Sequence, residues 1–359
     1  MNQIVAPQRR IRVLIVDDAS ENLRILAEIL RNTYTIMFAK NGHDALRIAN
    51  CPPQPDLILL DVVMPGMNGY EACRKLKENP KTSGIPVIFV TAQDEGVDEA
   101  TGLSLGAQDY IKKPFIASLV RNRVDSAVEL KLHRDHLNEL VEERTRQLAL
   151  TQEATIHAMA NLAEWRDPET GAHIKRTQNY VRSLAQYMAK LPKFTAVMTP
   201  EFISMLYLSA PLHDVGKVAI PDAVLHKPGR LTEEEFEVMK EHTTRGRDML
   251  TSTEEFLGEE NSFLTTAQEI AYCHHERWDG KGYPRKIQGE EIPVSARLMS
   301  VADVYDALRS KRVYKPPMSH EESAKLILDG RATQFDPDVT DAFEYLQPEF
   351  REIEERYAE

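Results

Sequence analysis

Short apolar runs alternate with helical patterns in the first 124 residues, and this alternation limits the possible folds of that region most strongly. The candidate strands lie at residues 11–16, 36–38, 56–60, 86–90 and 110–111. Between the first two, Leu23, Leu26 and Leu30 recur at the spacing of one helix face. The alternation predicts an α/β fold, a doubly wound five-stranded parallel sheet, in which sites form where the strands end.

The next stretch, residues 124–151, contains neither proline nor glycine and is rich in charge. Leu130, Leu137, Val141 and Leu148 lie near heptad spacing. The pattern predicts a continuous helix that pairs with a second copy of itself to form a homodimer. A single helix lying on either neighbouring domain is the alternative.

The remainder of the chain has helical periodicity almost throughout. Thr232 and Glu235, for example, have the spacing of a capping box at the start of a helix. We therefore predict three parts: a domain over residues 1–124, a helical linker over 125–151 and an all-α domain over 152–359.

Composition narrows the class of protein. The 359 residues carry a net charge of −12, which argues against a broad nucleic-acid surface and so against a DNA-binding protein. No apolar run approaches the roughly 20 residues that span a bilayer, and the first residues lack a signal-peptide pattern. Three separated cysteines fit a reducing compartment, so a cytoplasmic location is expected. A small phosphate-bearing ligand stays possible, because a few well-placed cations can bind it locally.

Charged and hydroxyl residues follow the candidate strands. They are Asp17, Asp18, Asp61, Thr91 and Lys113. In a parallel sheet these side chains meet at one edge, where three carboxylates repel one another unless a cation is bound. Magnesium suits such an all-oxygen site. Asp61 could then attack a phosphoryl donor while the metal and Lys113 neutralise the transferred charge.

This region resembles the receiver domain of two-component response regulators, through the strings LIVDD, LLDVVMPGMNGYE, VIFVTA and DYIKKPF. The resemblance implies that Asp61 is the phosphoacceptor and that Asp17 and Asp18 bind magnesium with it, assisted by the Val63 carbonyl. It also implies a sensor histidine kinase as partner. Thr91 and Tyr110 match the pair of residues that responds to phosphorylation in that family.

A second set of candidate site residues, made of imidazoles, carboxylates and one lysine, lies in the helical part. It comprises Glu169, His173, His213, Asp214, Lys217, His242, His274, His275 and Asp303. Imidazoles and carboxylates without thiolates suit zinc, iron, manganese or nickel in a catalytic site. Asp214 could bridge two metals, and two metals together could activate water and clamp a phosphodiester. Lys217 could stabilise the developing charge or protonate the leaving oxygen.

This part resembles the HD-GYP family of metal-dependent phosphohydrolases. The matching strings are RDPETGAHIKR, PLHDVGKVAIPDAVLHKPGRLTEEE, HTTRG, HHERWDGKGYP and IPVSARLMSVADVYDALRSKRVYK. The resemblance implies hydrolysis of cyclic di-GMP to linear pGpG, with further cleavage to GMP left open. The metal ligands it implies are His173, His213, Asp214, His242, His274, His275 and Asp303.

The same resemblance implies further roles. Glu169 matches a carboxylate that supports a third metal in some members, so two or three metals are possible. Arg312 and Lys315 match residues that contact the dinucleotide, although exposed solvated side chains are the alternative. The loop Gly282-Tyr283-Pro284 is expected to shape the mouth of the site and to meet partner signalling proteins.

Two alternative functions compete with this hypothesis. One is a phosphodiesterase for another cyclic dinucleotide, such as cyclic GMP-AMP, since no guanine-reading residue can be named from the sequence. The other is a non-catalytic module that binds a ligand or docks a partner, which missing metal ligands would favour.

Overall fold

The computed structural model describes residues 10–91, 102, 104–164, 171–258, 261–310 and 317–358. The chain divides into two compact units, Met1–Arg146 and Gln147–Glu359, termed here the N-terminal and C-terminal units. The expected class is confirmed, because a five-stranded parallel sheet is followed by a helical part. The domain boundaries themselves stay predictions.

The N-terminal unit is built on a parallel sheet with the strand order β2-β1-β3-β4-β5. The strands are β1 (Arg12–Val16), β2 (Thr35–Ala39), β3 (Leu57–Asp61), β4 (Val87–Thr91) and β5 (Asp109–Lys112). The helices between them are α1 (Ser20–Leu30), α2 (Gly42–Asn50) and α3 (Gly69–Glu78). Asp61 and Thr91 are thus the last residues of β3 and β4. Each of these two strands ends one residue later than the sequence pattern predicted.

Successive side chains of the sheet pack on opposite faces, as the pleat requires. Leu14 and Val16 lie in one apolar core with Ile58. Val13 and Ile15 lie in the other core, which also takes residues of the next helix. The sheet is therefore buried on both faces, which explains why its strands are continuous apolar runs.

The linker helix α4 runs from Ala117 to Glu164, so it begins before residue 124 and ends after residue 151. One face of its first turns is apolar, and Val120 and Val124 on that face pack into the sheet core. Near its other end Ile156 is buried in a core of the C-terminal unit. Both extensions follow from apolar contacts with each unit, which lie outside the charged stretch of near-heptad spacing.

Every helix or strand assigned among the described residues of the C-terminal unit is a helix, and loops join them. Its helices are α5 (Gly171–Met188), α6 (Pro200–Ser209), α7 (Asp222–Leu225), α8 (Glu233–Leu257), α9 (Ser262–Cys273), α10 (Val294–Arg309), α11 (His320–Asp329) and α12 (Pro337–Arg356). Short 3-10 helices occupy Ala210–Leu212, Val215–Ala219 and Gly289–Glu291. None of the described helices is long and apolar enough to cross a membrane.

The main core of this unit joins α5, α10 and α12 around stacked aromatic rings. Tyr180 stacks on Phe350 with 4.3 Å between ring centroids, and Tyr305 meets both rings edge-on. The capping box predicted at Thr232 and Glu235 is present and starts α8. These contacts fix the helices that carry the candidate metal ligands.

Two glycines allow α8 to approach the 3-10 helix that follows Asp214. A Cβ added to Gly216 would lie 2.0 Å from the His242 carbonyl oxygen and 2.4 Å from the Gly246 nitrogen. No side chain fits there, so glycine at 216 sets the distance between Asp214 and His242. Gly246 has no side chain on the facing side of α8, where a Cβ would lie 3.3 Å from the Gly216 nitrogen.

We expect Gly216→Ala to lower the free energy of unfolding of the C-terminal unit by about 1–3 kcal/mol, because the methyl group overpacks against backbone. Urea unfolding measures it. Gly84→Ala is the control, since its Cβ would meet nothing closer than 3.9 Å. Equal stability of the two variants would contradict the close approach.

Candidate functional site

Six imidazole and carboxylate residues in the C-terminal unit form two adjacent groups. His173 of α5, His213 and Asp303 of α10 make the first group. The second group contains His242 of α8 with His274 and His275, which follow α9. Within each group, one ligand atom from every residue lies within 4.8 Å of the others.

Asp214 lies between the two groups. Its Oδ2 atom is 3.3 Å from His213 Nε2, whereas its Oδ1 atom is 3.4 Å from His242 Nε2 and 3.9 Å from His274 Nε2. Lys217, one turn later, places Nζ 2.8 Å from Oδ2. The two oxygens of one carboxylate thus face different groups, which is the geometry a bridging ligand requires.

The imidazole rings are held by their Nδ1 atoms. Nδ1 lies 2.9 Å from the Ala210 carbonyl oxygen in His213, 2.7 Å from that of Met239 in His242, and 2.9 Å from that of Ile270 in His274. A carbonyl only accepts, so each Nδ1 is the protonated donor and Nε2 keeps its lone pair for a metal. These main-chain carbonyl partners could not be predicted from the positions of the histidines in the sequence.

Burial also favours neutral imidazoles. It lowers the pKa of His242, His274 and His275, that of His274 to about 3. Burial likewise lowers the pKa of His213, but the Asp214 carboxylate outweighs it and raises that pKa above its ordinary value. The neutral imidazoles of His242, His274 and His275 are therefore ready to bind a cation.

The carboxylate between them keeps its charge. Burial opposes ionisation of Asp214, but Lys217 and His213 outweigh it and hold the pKa of that carboxyl well below its usual range. Asp214 Oδ1 and the Nε2 atoms of His242 and His274 are nevertheless buried without a hydrogen-bond partner among the described residues. Buried polar atoms of this kind are costly unless a ligand satisfies them, so the residues fit a metal centre.

A buried ion pair orients His173. Asp306, fully buried, accepts from His173 Nδ1 at 2.8 Å and receives Arg176 Nε and Nη2 at 2.6 and 2.8 Å. Sequence reasoning missed both partners. Their signal was the spacing, because Asp306 lies one turn after Asp303 and Arg176 lies three residues after His173.

Glu164, at the end of α4, is a second missed carboxylate. It is 6% exposed, and its Oε1 atom lies 4.0 Å from His173 Nε2. Asp303 Oδ1 lies 3.8 Å from the same nitrogen, so two acidic side chains approach this imidazole. Glu169, Arg312 and Lys315 lie outside the described residues, and their predicted roles stay predictions.

The Gly282-Tyr283-Pro284 loop closes against the paired histidines. The Tyr283 ring lies 4.8 Å from the His275 ring, and a Cβ at Gly282 would lie 2.4 Å from the Arg277 nitrogen. Burial, followed by the charges of Asp214 and Asp303, raises the pKa of Tyr283 above its ordinary value. Glu276 anchors the loop, since its Oε1 atom accepts from the backbone nitrogens of Arg285 and Lys286.

The sheet edge of the N-terminal unit brings together the other predicted set. Asp17, Asp18 and Asp61 lie within reach of one cation. Lys113 Nζ lies 3.0 Å from Asp17 Oδ2 and 2.9 Å from Asp61 Oδ2. Burial and the nearby Asp17 raise the pKa of Asp61 to about 6, although Lys113 opposes the shift. Carboxylates that repel one another in this way suit a site for a divalent cation.

Thr91 ends β4 at this edge, and Tyr110 is the second residue of the neighbouring strand β5, where it pairs with Phe89. Thr91 pairs with Lys112 in the register of β4 and β5. The Tyr110 ring lies 5.2 Å from the guanidinium carbon of Arg123, which belongs to α4. The aromatic side chain therefore contacts the linker helix directly.

Two family profiles match the chain, the response regulator receiver domain over residues 13–125 and the HD domain over residues 139–339. A probable cyclic di-GMP phosphodiesterase of Vibrio cholerae is 46% identical, with 97% of this chain and 80% of that protein aligned. A cyclic di-GMP phosphodiesterase of Thermotoga maritima is 33% identical, with 96% and 92% aligned.

A third relative has a different named substrate. The 3′3′-cGAMP-specific phosphodiesterase 2 of Vibrio cholerae is 38% identical, with 53% of this chain and 34% of that protein aligned. The chain belongs to the HD-domain family of metal-dependent hydrolases and joins that domain to a response regulator receiver domain. Both resemblances found in the sequence are thereby confirmed.

We expect Asp306→Asn to weaken metal binding roughly 10- to 100-fold, because a neutral amide orients His173 less firmly. The metal that the protein retains after dialysis against increasing concentrations of a chelator measures this affinity. Asp341→Asn is the matched control, since it breaks an equally bidentate but exposed pair with Arg331. Equal metal retention in both variants would contradict the positioning role.

Proposed function

We propose that this chain is a two-component response regulator whose C-terminal unit hydrolyses cyclic di-GMP to linear pGpG, with GMP as the product of a second cleavage. The observation that supports it most is the Asp214 carboxylate, which faces a group of three potential metal ligands on each side. The names of relatives that align along most of the chain support the substrate.

The proposed metal ligands divide between two ions. His173, His213 and Asp303 would hold one ion with Asp214 Oδ2, and His242, His274 and His275 would hold the other with Asp214 Oδ1. Iron, manganese, nickel and zinc all suit this donor set. When bound, two such ions polarise the phosphodiester, activate water and stabilise the leaving oxygen.

Lys217 is the residue that would act on the phosphodiester itself. Its ammonium lies 2.8 Å from Asp214 Oδ2, at the edge of both groups, and its side chain is 14% exposed. A cation there would stabilise charge on the phosphoryl oxygens and could pass a proton to the leaving oxygen. Asp214 would hold that ammonium in place while also holding the metals.

We expect Lys217→Met to lower kcat for cyclic di-GMP about 100-fold or more while metal content stays at the wild-type level. Product chromatography and elemental analysis measure the two quantities. Lys227→Met is the control, because Lys227 pairs with Glu235 away from these ligands. A wild-type rate for Lys217→Met would exclude the assigned role.

A related cyclic dinucleotide is the second candidate substrate. The 38% identity with a 3′3′-cGAMP-specific phosphodiesterase favours testing it, although that likeness spans 53% of this chain. Parallel assays with cyclic di-GMP and 3′3′-cGAMP decide between them, since the higher kcat/KM identifies the preferred substrate.

The N-terminal unit would regulate this hydrolysis. Asp61 would accept a phosphoryl group from a sensor histidine kinase, with magnesium bound by Asp17, Asp18 and Asp61. Lys113 would neutralise the added charge. The contact between Tyr110 and Arg123 offers a route to helix α4, which continues into the C-terminal unit.

The linker helix would also pair with a second copy of the chain. Leu130, Leu137, Val141 and Leu148 have exposed fractions of 61%, 58%, 62% and 71%. Apolar side chains at near-heptad spacing bury this surface when two helices pair. Sedimentation of the full chain tests the dimer.

We expect a small phosphoryl donor to change the hydrolysis rate of the wild type severalfold and to leave Asp61→Asn unchanged, because the acceptor carboxylate is lost. Asp44→Asn, which removes a surface pair with Arg47, should respond like the wild type. Rates that are equal with and without donor in every sample would exclude the switch.

A further inference from the structure

Phe236 is an exposed aromatic residue close to the candidate metal ligands. It lies near the start of α8, six residues before His242, and 45% of its surface is exposed. It belongs to none of the apolar cores formed by the described residues. A single exposed ring is common on protein surfaces, so its neighbours decide whether it has a role.

A second ring connects Phe236 to the metal ligands. The Tyr283 ring lies 6.2 Å from the Phe236 ring at an angle of 80°, and 4.8 Å from the His275 ring on its other side. The three rings therefore lead from solvent to the second ligand group. Glu276 and Gly282 hold the loop that carries Tyr283, so the position of this ring is fixed by backbone contacts.

A lysine lies over both rings. Lys240 Nζ is 5.1 Å from the centroid of the Phe236 ring and 5.6 Å from that of Tyr283. Its acidic partner is Glu237, one turn earlier on the same helix, whose side chain is 71% exposed, whereas that of Lys240 is 22% exposed. The ammonium group is thus held at the rings, where it can donate to an acceptor on a molecule stacked there.

We propose that Phe236, Tyr283 and Lys240 form a subsite for one purine base of the substrate, here called the base subsite. The inference rests on the proposed function, because it places the base of a cyclic dinucleotide beside the metal ligands. Exposed aromatic faces stack on bases, and a neighbouring cation strengthens the stack. Lysine donates to the O6 and N7 acceptors of guanine, whereas adenine presents a donor in place of O6, so Lys240 favours guanine.

The test is steady-state hydrolysis of cyclic di-GMP by Phe236→Ala. We expect KM to rise about tenfold or more while kcat and metal content stay within twofold of the wild type, because the base stacks away from the reacting phosphorus. Phe256→Ala is the matched control, since Phe256 lies on the same helix, is 88% exposed and contacts neither ring of the subsite. That variant should keep the wild-type KM.

Two further variants separate stacking from folding and from apolar bulk. Phe236→Trp keeps an aromatic face and should restore KM, whereas Phe236→Leu keeps the bulk alone and should resemble Phe236→Ala. Lys240→Met should reduce the preference for cyclic di-GMP over cyclic di-AMP, measured as a ratio of kcat/KM. A merely structural role for Phe236 would lower kcat and metal content as well.

The outcomes distinguish this inference from the function on which it rests. If the wild type hydrolyses cyclic di-GMP and Phe236→Ala has the KM of Phe256→Ala, the base subsite is wrong and the proposed function stands. If Phe236→Leu keeps the wild-type KM, aromatic stacking is wrong. If the wild type does not hydrolyse any cyclic dinucleotide, both the proposed function and the subsite are overturned.

Discussion

A buried negative charge at Asp214 is the constraint on which the C-terminal unit depends. A carboxylate this deeply buried is costly unless cations compensate it, and one of its oxygens lies 2.8 Å from Lys217 Nζ and 3.3 Å from His213 Nε2. The other oxygen faces the Nε2 atoms of His242 and His274, which are neutral at ordinary pH and have no hydrogen-bond partner in the described residues. Two metal ions, one on each side of this carboxylate, would resolve the imbalance.

Residues that are not themselves ligands position and orient the candidate metal ligands. Gly216 allows α8 to approach, which brings His242 to Asp214, and main-chain carbonyls orient three of the imidazoles. His173 is oriented instead by the carboxylate of Asp306, which Arg176 neutralises. The unit thus supplies fixed acceptors for the Nδ1 protons and leaves the Nε2 lone pairs directed at the centre. This preorganisation is what a metal-dependent hydrolase requires.

The sequence predicted the sheet and its functional edge because both depend on local pattern. Residues at the ends of parallel strands meet at one edge whatever the details of packing, so Asp17, Asp61 and Lys113 could be grouped in advance. The ligand types of the second site could be predicted in the same way, from His213-Asp214 and His274-His275. Their division into two groups could not, because it depends on how separate helices cross.

Asp306, Arg176 and Glu164 were missed for the same reason. Asp306 contacts His173 and Arg176 far along the chain, and a spacing of one turn from a candidate ligand is too common on helices to single either partner out. Glu164 lies on a different helix from His173, so its approach to that imidazole depends on tertiary packing. The limits of α4 were also set by tertiary contacts, since Val120 at one end and Ile156 at the other pack into different cores. The heptad pattern described only the exposed part between them.

The most direct measurement of the central claim is the anomalous scattering of metal in crystals of the anaerobically purified protein. We predict two metal peaks, one on each side of Asp214, with His173, His213 and Asp303 around one and His242, His274 and His275 around the other. Their separation should be about 3.5–4 Å. A single peak on one side of Asp214, or metal bound elsewhere with Asp214 paired only to Lys217, would contradict a bridging carboxylate.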